Sequence, residues 1–455
     1  MTVYNPLYDP LVDSHPGQGS EYAPTYWVAT AGEPPQLDSP VGSDMDVDVA
    51  IIGAGFTGLA TALFLVEEYG IKAVVLEANK LAWGCTSRNG GQGQFNCGRL
   101  SRGQWVKRWG EAISLRLHQD VKEGYELFKN LVSRIGDYCQ PQGDGHLLVA
   151  HRAAQMTKLE QESELCNKLF GYGTRILHKN DLQQHYLNDA EAHGALLEPE
   201  GIGVHPLRLA YAYTRMVREQ GVTIHPSSPV ISWSNAGGKH KLITPGGVVT
   251  ADRVAVATGG YTSAGLHEDI AYRYMPILSN SVVTRVLTAD EIAAAGLKTK
   301  LVITDTRNLR FYYRLLPDNR LQMGTRSAIT GKDAANNKHY NLLVQGLYRK
   351  FPVLAGVEIA YSWWGWVDVS HDMMPRIVES HKGSGLFYSC GYGGNGVAFS
   401  IHGGKRMADQ IAGKTTNYEN LPIYNSALPR HPLTPFRRLG QRLFYRYYAL
   451  KDMLP

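Results

Sequence analysis

The stretch Asp48-Val-Ala-Ile-Ile-Gly-Ala-Gly-Phe-Thr-Gly58 decides the fold of this chain. A β-branched apolar run enters a glycine-rich turn, and helix-forming residues continue from Leu59 to Tyr69. Gly53 permits the tight turn, Gly55 lets the backbone approach a pyrophosphate, and Gly58 lets the helix pack closely on the strand. Since the first N–H groups of a helix attract phosphate, the stretch predicts a nucleotide-binding turn.

A second apolar run, Ala73–Glu77, completes a strand–helix–strand unit. Glu77 lies at about the 20-residue distance at which a carboxylate accepts hydrogen bonds from ribose hydroxyls. Alternatively, the glycine stretch is an ordinary turn and Glu77 is a solvated residue at the end of a strand. The unit alone does not decide whether the dinucleotide is NAD or FAD. The predicted dinucleotide contacts of this unit are Gly53, Gly55, Phe56, Thr57, Gly58, Glu77 and Ala78.

The next loop, Ala82-Trp-Gly-Cys-Thr-Ser-Arg-Asn-Gly-Gly-Gln92, favours FAD. It resembles the loop after the second strand in the D-amino-acid oxidase superfamily of flavoproteins, more narrowly the glycine oxidase and γ-glutamylputrescine oxidase branch. In that family the loop wraps the pyrophosphate and the flavin edge, although an unrelated polar turn has a similar composition. Hydroxyls at Thr86 and Ser87 can donate to phosphate, and two glycines let the chain pass close to a flat ring. The resemblance implies cofactor contacts from Thr86, Ser87, Arg88, Asn89, Gly90, Gly91 and Gln92.

Further segments follow in the order of that family, from Asp46 to about Gly413. The resemblance implies that a valine backbone flanks the adenine, and that a buried strand ending in glycine makes a second contact. A last glycine loop precedes a helix whose positive N-terminal end would stabilise the reduced flavin ring. The residues implied are Val230, Thr258, Gly259, Gly391, Tyr392, Gly393, Gly394, Asn395, Gly396 and Val397.

The predicted fold class is α/β with an α+β substrate lobe. A Rossmann-like FAD-binding domain alternates along the chain with a discontinuous substrate domain built on an antiparallel sheet. The predicted segments are an N-terminal arm (1–45), FAD-binding parts (46–137, 196–270 and 366–415), substrate parts (138–195 and 271–365) and a C-terminal tail (416–455).

Composition limits the other classes of function. The net charge of +5 is spread along the 455 residues, which gives no indication of nucleic-acid binding. The five cysteines are odd in number and have no zinc spacing, so we expect reduced thiols and no metal. Because no apolar run reaches about 18 residues, we expect no integral membrane segment and a cytoplasmic location.

The candidate substrate residues lie in the predicted substrate lobe and the last loop. Aromatic side chains could wall a slot for an amine, with Tyr313 and Trp366 the preferred pair among Tyr312, Tyr313, Trp364, Trp366 and Tyr392. The alternative, which is the commoner role for any single one of them, is packing in the core.

Arg314 is predicted to bind a substrate carboxylate, because amino-acid-oxidising members of the resembled family have an arginine at this place and its planar fork suits a carboxylate. The alternative is that Arg314 pairs with a protein carboxylate or caps the turn near Asp318.

In the last glycine loop, many members of the resembled family have Gly-His-Gly where this chain has Gly394-Asn395-Gly396. An asparagine can donate a hydrogen bond to the flavin but cannot carry the charge of a histidinium, which leaves the reactivity with oxygen open. Tyr313, Arg314, Trp366 and Asn395 are therefore the candidate catalytic residues.

The two ends of the chain carry weaker patterns. Met1–Asp44 has no periodicity and is predicted to be a surface arm or partly disordered, with Tyr22, Tyr26 and Trp27 as possible anchors. Phe436–Tyr448 has apolar and basic residues at helical spacing. This pattern suits an interfacial helix, and the alternative is a helix packed on the body with solvated arginines.

The resemblance implies FAD-dependent oxidation of a primary or secondary amine, by hydride transfer to flavin N5 and with O2 as the expected acceptor. The amine is a polyamine, a γ-glutamylated polyamine or an amino acid, and the sequence does not select among them. One alternative is a dehydrogenase that passes electrons to a quinone chain. The other is a flavin-containing structural or RNA-modification protein.

Overall fold

The computed structural model describes residues 5, 7–13, 21–263, 265–432 and 434–453. The strands are β1 Met45–Ile52, β2 Val74–Leu76, β3 Gln92–Gln94, β4 His146–Val149, β5 Arg175–His178, β6 Gly194–Glu198, β7 Gly201–Gly203, β8 Thr223–His225, β9 Ser232–Ala236, β10 Lys239–Thr244, β11 Gly247–Val256, β12 Tyr274–Thr284, β13 Val302–Asp305, β14 Tyr312–Leu315, β15 Leu321–Thr325, β16 Ile359–Ser370, β17 Arg376–Glu379 and β18 Leu386–Cys390. The helices are α1 Tyr26–Thr30, α2 Phe56–Tyr69, α3 Arg102–Ile135, α4 Ala153–Phe170, α5 Lys179–His185, α6 Pro206–Glu219, α7 Ala289–Ala294, α8 Gly331–Ala334, α9 Asn337–Lys350, α10 Gly396–Ile411 and α11 Arg437–Met453.

The first sheet contains the predicted strand–helix–strand unit. Its strand order is β17-β18-β11-β1-β2-β8, with the β9–β10 hairpin joined to β11. The five strands from β18 to β8 run parallel, so their carboxyl ends meet at one edge of the sheet. Ligands of open α/β sheets bind at that edge, which is where the glycine turn after β1 lies.

The second sheet has the order β16-β12-β15-β14-β13-β4-β6-β5. Its neighbours are antiparallel except β13 and β4, which run parallel with Val302 opposite His146. The expectation of a purely antiparallel sheet is therefore corrected at one pair. These two strands come from distant parts of the chain, so no hairpin turn constrains their direction. The division of the chain into domain segments stays a prediction.

The first part of the segment 21–44, up to Ala31, packs into the body, contrary to the prediction of a surface arm, whereas residues 32–44 lie mostly on the surface as predicted. Trp27 is 1% exposed and its Nε1 donates to the carbonyl of Asn89 at 2.8 Å. Tyr22 donates its hydroxyl to the carbonyl of Leu81 at 2.6 Å, and Tyr26 is buried. The three anchors are confirmed, and burial of their rings orders a segment that has no periodic pattern. Part of the predicted arm, residues 1–4, 6 and 14–20, lies outside the described residues.

In the described ranges, no helix has both the length and the apolar character needed to cross a membrane.

Candidate active site

A cleft lies at the carboxyl edge of the first sheet. It encloses about 1090 Å³ of empty space, part of it open to solvent, which is at or above the roughly 300–1,000 Å³ typical of small-molecule sites. Most of the predicted cofactor residues line it: Gly53, Gly55, Phe56, Thr57, Glu77, Ala78, Thr86, Asn89, Val230, Thr258, Gly259, Tyr392, Gly394, Gly396 and Val397. These residues come from the unit at the start of the chain, its middle and its last third.

The turn after β1 forms a cradle with no room for side chains. Gly53 has φ +107°, and a Cβ atom there would lie 2.8 Å from the carbonyl oxygen of Ala257. A Cβ atom on Gly55 would lie 3.0 Å from Oγ1 of Thr86, which accepts a hydrogen bond from the N–H of Phe56 at 3.2 Å. The first turn of α2 begins here, so its N–H groups meet the cleft. The cradle fits the pyrophosphate of a dinucleotide.

Backbone N–H groups hold the carboxylate of Glu77 at the wall of the cleft. Its two oxygens accept hydrogen bonds from the N–H of Ala54 at 2.9 Å and of Asn79 at 3.0 Å. Burial raises the pKa of the carboxyl, and these backbone N–H groups oppose the shift. A solvated strand end is thereby excluded, because Glu77 is 9% exposed and faces the cleft.

Four predicted cofactor residues do not line a cavity. Gly58 packs α2 against the strand, since a Cβ atom there would overlap the carbonyl oxygen of Gly53. Ser87 donates its hydroxyl to the carbonyl of Trp83 at 3.0 Å, so its predicted donation to phosphate is wrong in this structure. Gly91 lies under the guanidinium of Arg314, and Gly391 donates its N–H to the carboxylate of Asp368.

The sequence interpretation missed part of the cleft lining. Ser228, Gly260 and Tyr261 lie within two positions of predicted residues, so the family order was a usable signal for them. Val367 and Asp368 lie on β16 of the second sheet, and no neighbouring sequence motif predicts that they line the cleft. The other missed members include Asn79, Trp83, Gly84, Cys85, Ala257 and Ser400.

A second cavity of about 1270 Å³ adjoins the cleft. The two share the lining residues Cys85, Asn89, Val367, Gly394 and Val397. Predicted cofactor residues reach this cavity too: Arg88, Gly90, Gln92, Gly393 and Asn395. The flavin end of a dinucleotide in the cleft would therefore meet a ligand in this second cavity, which we call the substrate cavity.

The lining of the substrate cavity is rich in arginine, with Arg88, Arg99, Arg102, Arg310 and Arg326. Arg310 and Arg326 line it, and within the described ranges neither forms an ion pair with a carboxylate. Nε of Arg310 has no hydrogen-bond partner, and Arg326 makes a long hydrogen bond of 3.4 Å to the carbonyl of Gly393. Burial lowers the pKa of both guanidinium groups. An anionic ligand would supply the missing partner.

Arg102 also lines the substrate cavity but, unlike Arg310 and Arg326, it has an ion-pair partner. Its guanidinium lies 3.5 Å from the carboxylate of Glu198, which also forms a 2.6 Å hydrogen bond with His146. The pKa of Glu198 is lowered because these two partners outweigh the opposing effect of burial. Glu198 therefore stays ionised, and its charge is already paired.

Four of the five predicted aromatic residues lie outside the substrate cavity: Tyr313, Trp364, Trp366 and Tyr392, the last of which lines the cofactor cleft. Tyr313 is fully buried and donates its hydroxyl to Asp189 at 2.6 Å. Trp366 is 3% exposed and its Nε1 donates to the carbonyl of Tyr8 at 3.0 Å. Both assignments are wrong, because alternate residues of a strand face opposite sides of the sheet. Tyr312 is the residue that lines the cavity, and it is hydrogen-bonded to Ser281 at 2.8 Å.

Arg314 does not reach the substrate cavity either. Its Nη2 donates to the carbonyl of Val204 at 2.6 Å and its Nη1 to Oε1 of Gln142 at 3.2 Å. It is 1% exposed, and burial lowers its pKa to about 10. The prediction of a carboxylate-binding role is wrong, and so is the alternative of a protein carboxylate or the turn near Asp318, because Arg314 instead ties backbone segments together.

Asn395 lies on the wall of the substrate cavity, immediately before α10 begins at Gly396. Its Nδ2 donates to the carbonyl of Gly98. This bond ties the last glycine loop to the segment that follows the first cofactor loop. The role of Asn395 in the reaction stays a prediction.

Comparisons with known proteins agree with this geometry. Residues 48–410 match the family described as FAD dependent oxidoreductase (DAO). Gamma-glutamylputrescine oxidoreductase of Escherichia coli K12 is 29% identical over 438 residues, which cover 96% of this chain and 99% of that protein. The probable oxidoreductase OrdL of Haemophilus influenzae is 27% identical, covering 80% of this chain and 83% of that protein.

Among solved structures, the fold is similar to that of glycine oxidase from Geobacillus kaustophilus. The TM-score is 0.70 at 20% identity, and the match covers 85% of this chain and 99% of that one. Since the family match spans most of the chain and includes every element of the dinucleotide cleft, this protein belongs to the FAD-dependent oxidoreductase family DAO and uses FAD as its cofactor.

Proposed function

We propose that this enzyme oxidises an amine that also carries a carboxylate group, such as a γ-glutamylated polyamine or an amino acid. The observation that carries the proposal is the pair Arg310 and Arg326, which face the substrate cavity without an ion-pair partner among the described residues. The name of the Escherichia coli relative supports the same substrate class, because a γ-glutamylated diamine has a carboxylate at one end and an amine at the other. An unmodified polyamine fits less well, since its cations would be repelled by the two guanidinium groups.

The side chains of the cavity orient the substrate. FAD supplies the hydride acceptor of the reaction. The two arginines hold the carboxylate, which places the amine end toward the lining shared with the cofactor cleft, where Val367 and Asn89 lie. The cavity wall consists mainly of buried and half-buried residues, and partial exclusion of water strengthens these charge interactions.

The pH dependence of flavin reduction should follow the ionisation of the substrate amine. Glu198 stays ionised because its pKa is lowered, and burial raises the pKa of Tyr312, so that phenol stays protonated. Neither group titrates near neutral pH, whereas hydride leaves only when the amine is neutral. We expect flavin reduction to accelerate from about pH 6 toward about pH 10, near the pKa of an alkylamine. Anaerobic stopped-flow absorbance measures this rate, and a flat profile would contradict direct oxidation of the amine.

The FAD is expected to be held without a covalent bond. Cys85 is the cysteine on the cavity lining, and burial raises its pKa to about 12, so that its reactive thiolate is scarce. Acid precipitation should leave the yellow colour in the supernatant. Colour that remains with the pellet would instead show a tether, for which Cys85→Ser would be the first variant to examine.

An anaerobic screen of amines and amino acids against the yellow protein tests the proposed function. We expect bleaching of the flavin by carboxylate-bearing amines and little by simple diamines. Readmission of air with assay of hydrogen peroxide then separates O2 from another acceptor such as a quinone. If no amine or amino acid bleaches the flavin, amine oxidation fails and a structural or RNA-modification role is favoured.

A further inference from the structure

Helix α11, Arg437–Met453, presents its apolar side chains to solvent. Gln441 is the buried residue of this helix, whereas Leu439, Leu443 and Leu450 are 55%, 58% and 60% exposed. The exposed large apolar residues at this end of the chain are Phe436, Leu439, Leu443, Phe444, Tyr447, Leu450 and Met453. A surface helix of a globular protein normally turns its apolar stripe toward the core. Helix α11 has the opposite orientation, with its apolar stripe toward solvent.

Polar pairs hold the helix in this orientation. Arg438 donates to the carboxylate of Asp9 at 2.6 Å. At the other end of α11, Asp452 accepts hydrogen bonds from Nδ2 of Asn308 at 2.6 Å and from the N–H of Leu309 at 3.1 Å. The polar face is therefore docked on the body at both ends, which leaves more than half of each side chain on the apolar face exposed to solvent.

The free face combines an apolar stripe with positive charge. Phe436, Leu439, Leu443, Tyr447 and Leu450 recur every three or four residues and form one stripe along a helix about 26 Å long. The exposed Arg442, Arg446 and Lys451 flank this stripe. The single acid of the helix, Asp452, is engaged with the body.

A second copy of the chain is a poor match for this face. The face is about 26 Å by about 10 Å, or roughly 260 Å², which is well below the roughly 800 Å² per partner of a stable interface. Two such faces would also bring like charges together. Anionic headgroups above acyl chains complement both the stripe and its basic border.

We propose that α11 binds in the interfacial layer of a membrane that contains anionic phospholipids, with the apolar stripe among the acyl chains and Arg442, Arg446 and Lys451 at the headgroups. This surface function is independent of the proposed substrate. The helix also adjoins the active site, because Tyr445 on its inner side interacts with Arg326 of the substrate cavity. Membrane binding would therefore bring the cavity to within about one helix diameter, some 10 Å, of the lipid surface.

Vesicle co-sedimentation of the full-length, FAD-loaded enzyme tests the proposal. The probes are vesicles of pure phosphatidylcholine and vesicles in which about one third is phosphatidylglycerol. We expect binding to the anionic vesicles at low salt and weaker binding at high salt. Leu443→Asp with Leu450→Asp should reduce binding by at least about 10-fold, and Arg442→Gln and Arg446→Gln by about fivefold each.

Leu342→Asp is the matched control, because Leu342 is 46% exposed and belongs to a different helix, α9. It should bind vesicles as the unaltered chain does. Flavin content and thermal midpoint should stay unchanged in every variant, which separates lost binding from lost folding. Failure of the unaltered enzyme to bind anionic vesicles, or equal binding by the Leu443/Leu450 variant, overturns the proposal. A dimer that Leu443→Asp dissociates, without vesicle binding, would assign the face to a second copy.

Discussion

Replacement of Arg310 by methionine is expected to raise the Michaelis constant for a carboxylate-bearing amine by about 10-fold or more. A charge-assisted hydrogen bond contributes roughly 1.5–3 kcal/mol, and methionine keeps an unbranched side chain while removing the guanidinium group and its charge. Arg326→Met should have a similar effect, because both guanidinium groups face the cavity without an ion-pair partner in the described part of the chain. Simple diamines should lose far less, or gain, since a repulsive charge is removed.

Arg314→Met supplies the matched control. This arginine is on the adjacent strand but donates to Val204 and Gln142, outside the cavity. We expect it to alter stability and to leave the ratio between the two substrate types unchanged. Steady-state kinetics with a γ-glutamylated diamine and its free diamine provide the comparison. Equal losses for both substrates in Arg310→Met would show that the cavity does not bind a carboxylate through this residue.

Lys350→Met is expected to lower the free energy of unfolding by about 3–5 kcal/mol, because removal of one partner leaves buried charges uncompensated. Lys350 is fully buried, with its Nζ 3.0 Å from Asp189, 3.3 Å from Asp305 and 3.5 Å from Glu191. Urea unfolding measures the loss. The neighbouring Arg349→Met is the control, because its 3.0 Å ion pair with Glu191 is half exposed and should contribute less than about 1 kcal/mol.

The decrease in the free energy of unfolding caused by Lys350→Met should depend on pH. Burial raises the pKa of Asp305, but Lys350 and Arg307 outweigh it and the net shift is downward. A carboxyl whose pKa is lowered on folding stabilises above its unfolded value of about 3.9, and that contribution is lost as the pH falls. The difference between the unaltered chain and Lys350→Met should therefore be present at neutral pH, persist down to about pH 4 and shrink as the pH falls below that value. A difference independent of pH would assign the effect to packing alone.

This cluster also supports the active site. Asp305 accepts the N–H of Phe311 at 3.0 Å, and Arg310 lies in the loop between these two residues. Loosening of that loop should raise the Michaelis constant for the carboxylate-bearing amine in Lys350→Met, even under conditions where the protein remains folded. Arg349→Met should leave that constant unchanged.

The cofactor site could be predicted from the sequence because its determinants are local. The turn at Gly53, Gly55 and Gly58 requires residues without side chains at fixed spacing, and Glu77 follows at the end of the next strand. Each of these requirements can be identified within one strand–helix–strand unit. The family order then indicated Val230, Thr258 and the 391–396 loop, and Val230, Thr258, Tyr392, Gly394 and Gly396 line the cleft.

The substrate residues were decided by tertiary structure, because a strand presents alternate residues to opposite faces and sequence alone does not say which face is the cavity. Tyr312 faces the cavity because it pairs with Gly324, whose missing side chain leaves room for the ring. Tyr313 and Arg314 are thereby fixed in the interior, while Arg310 and Arg326, from loops beside β14 and β15, supply the positive charge. The orientation of α11 likewise depends on Asp9 and Asn308, far from it in sequence, because their pairing with Arg438 and Asp452 turns the polar face inward.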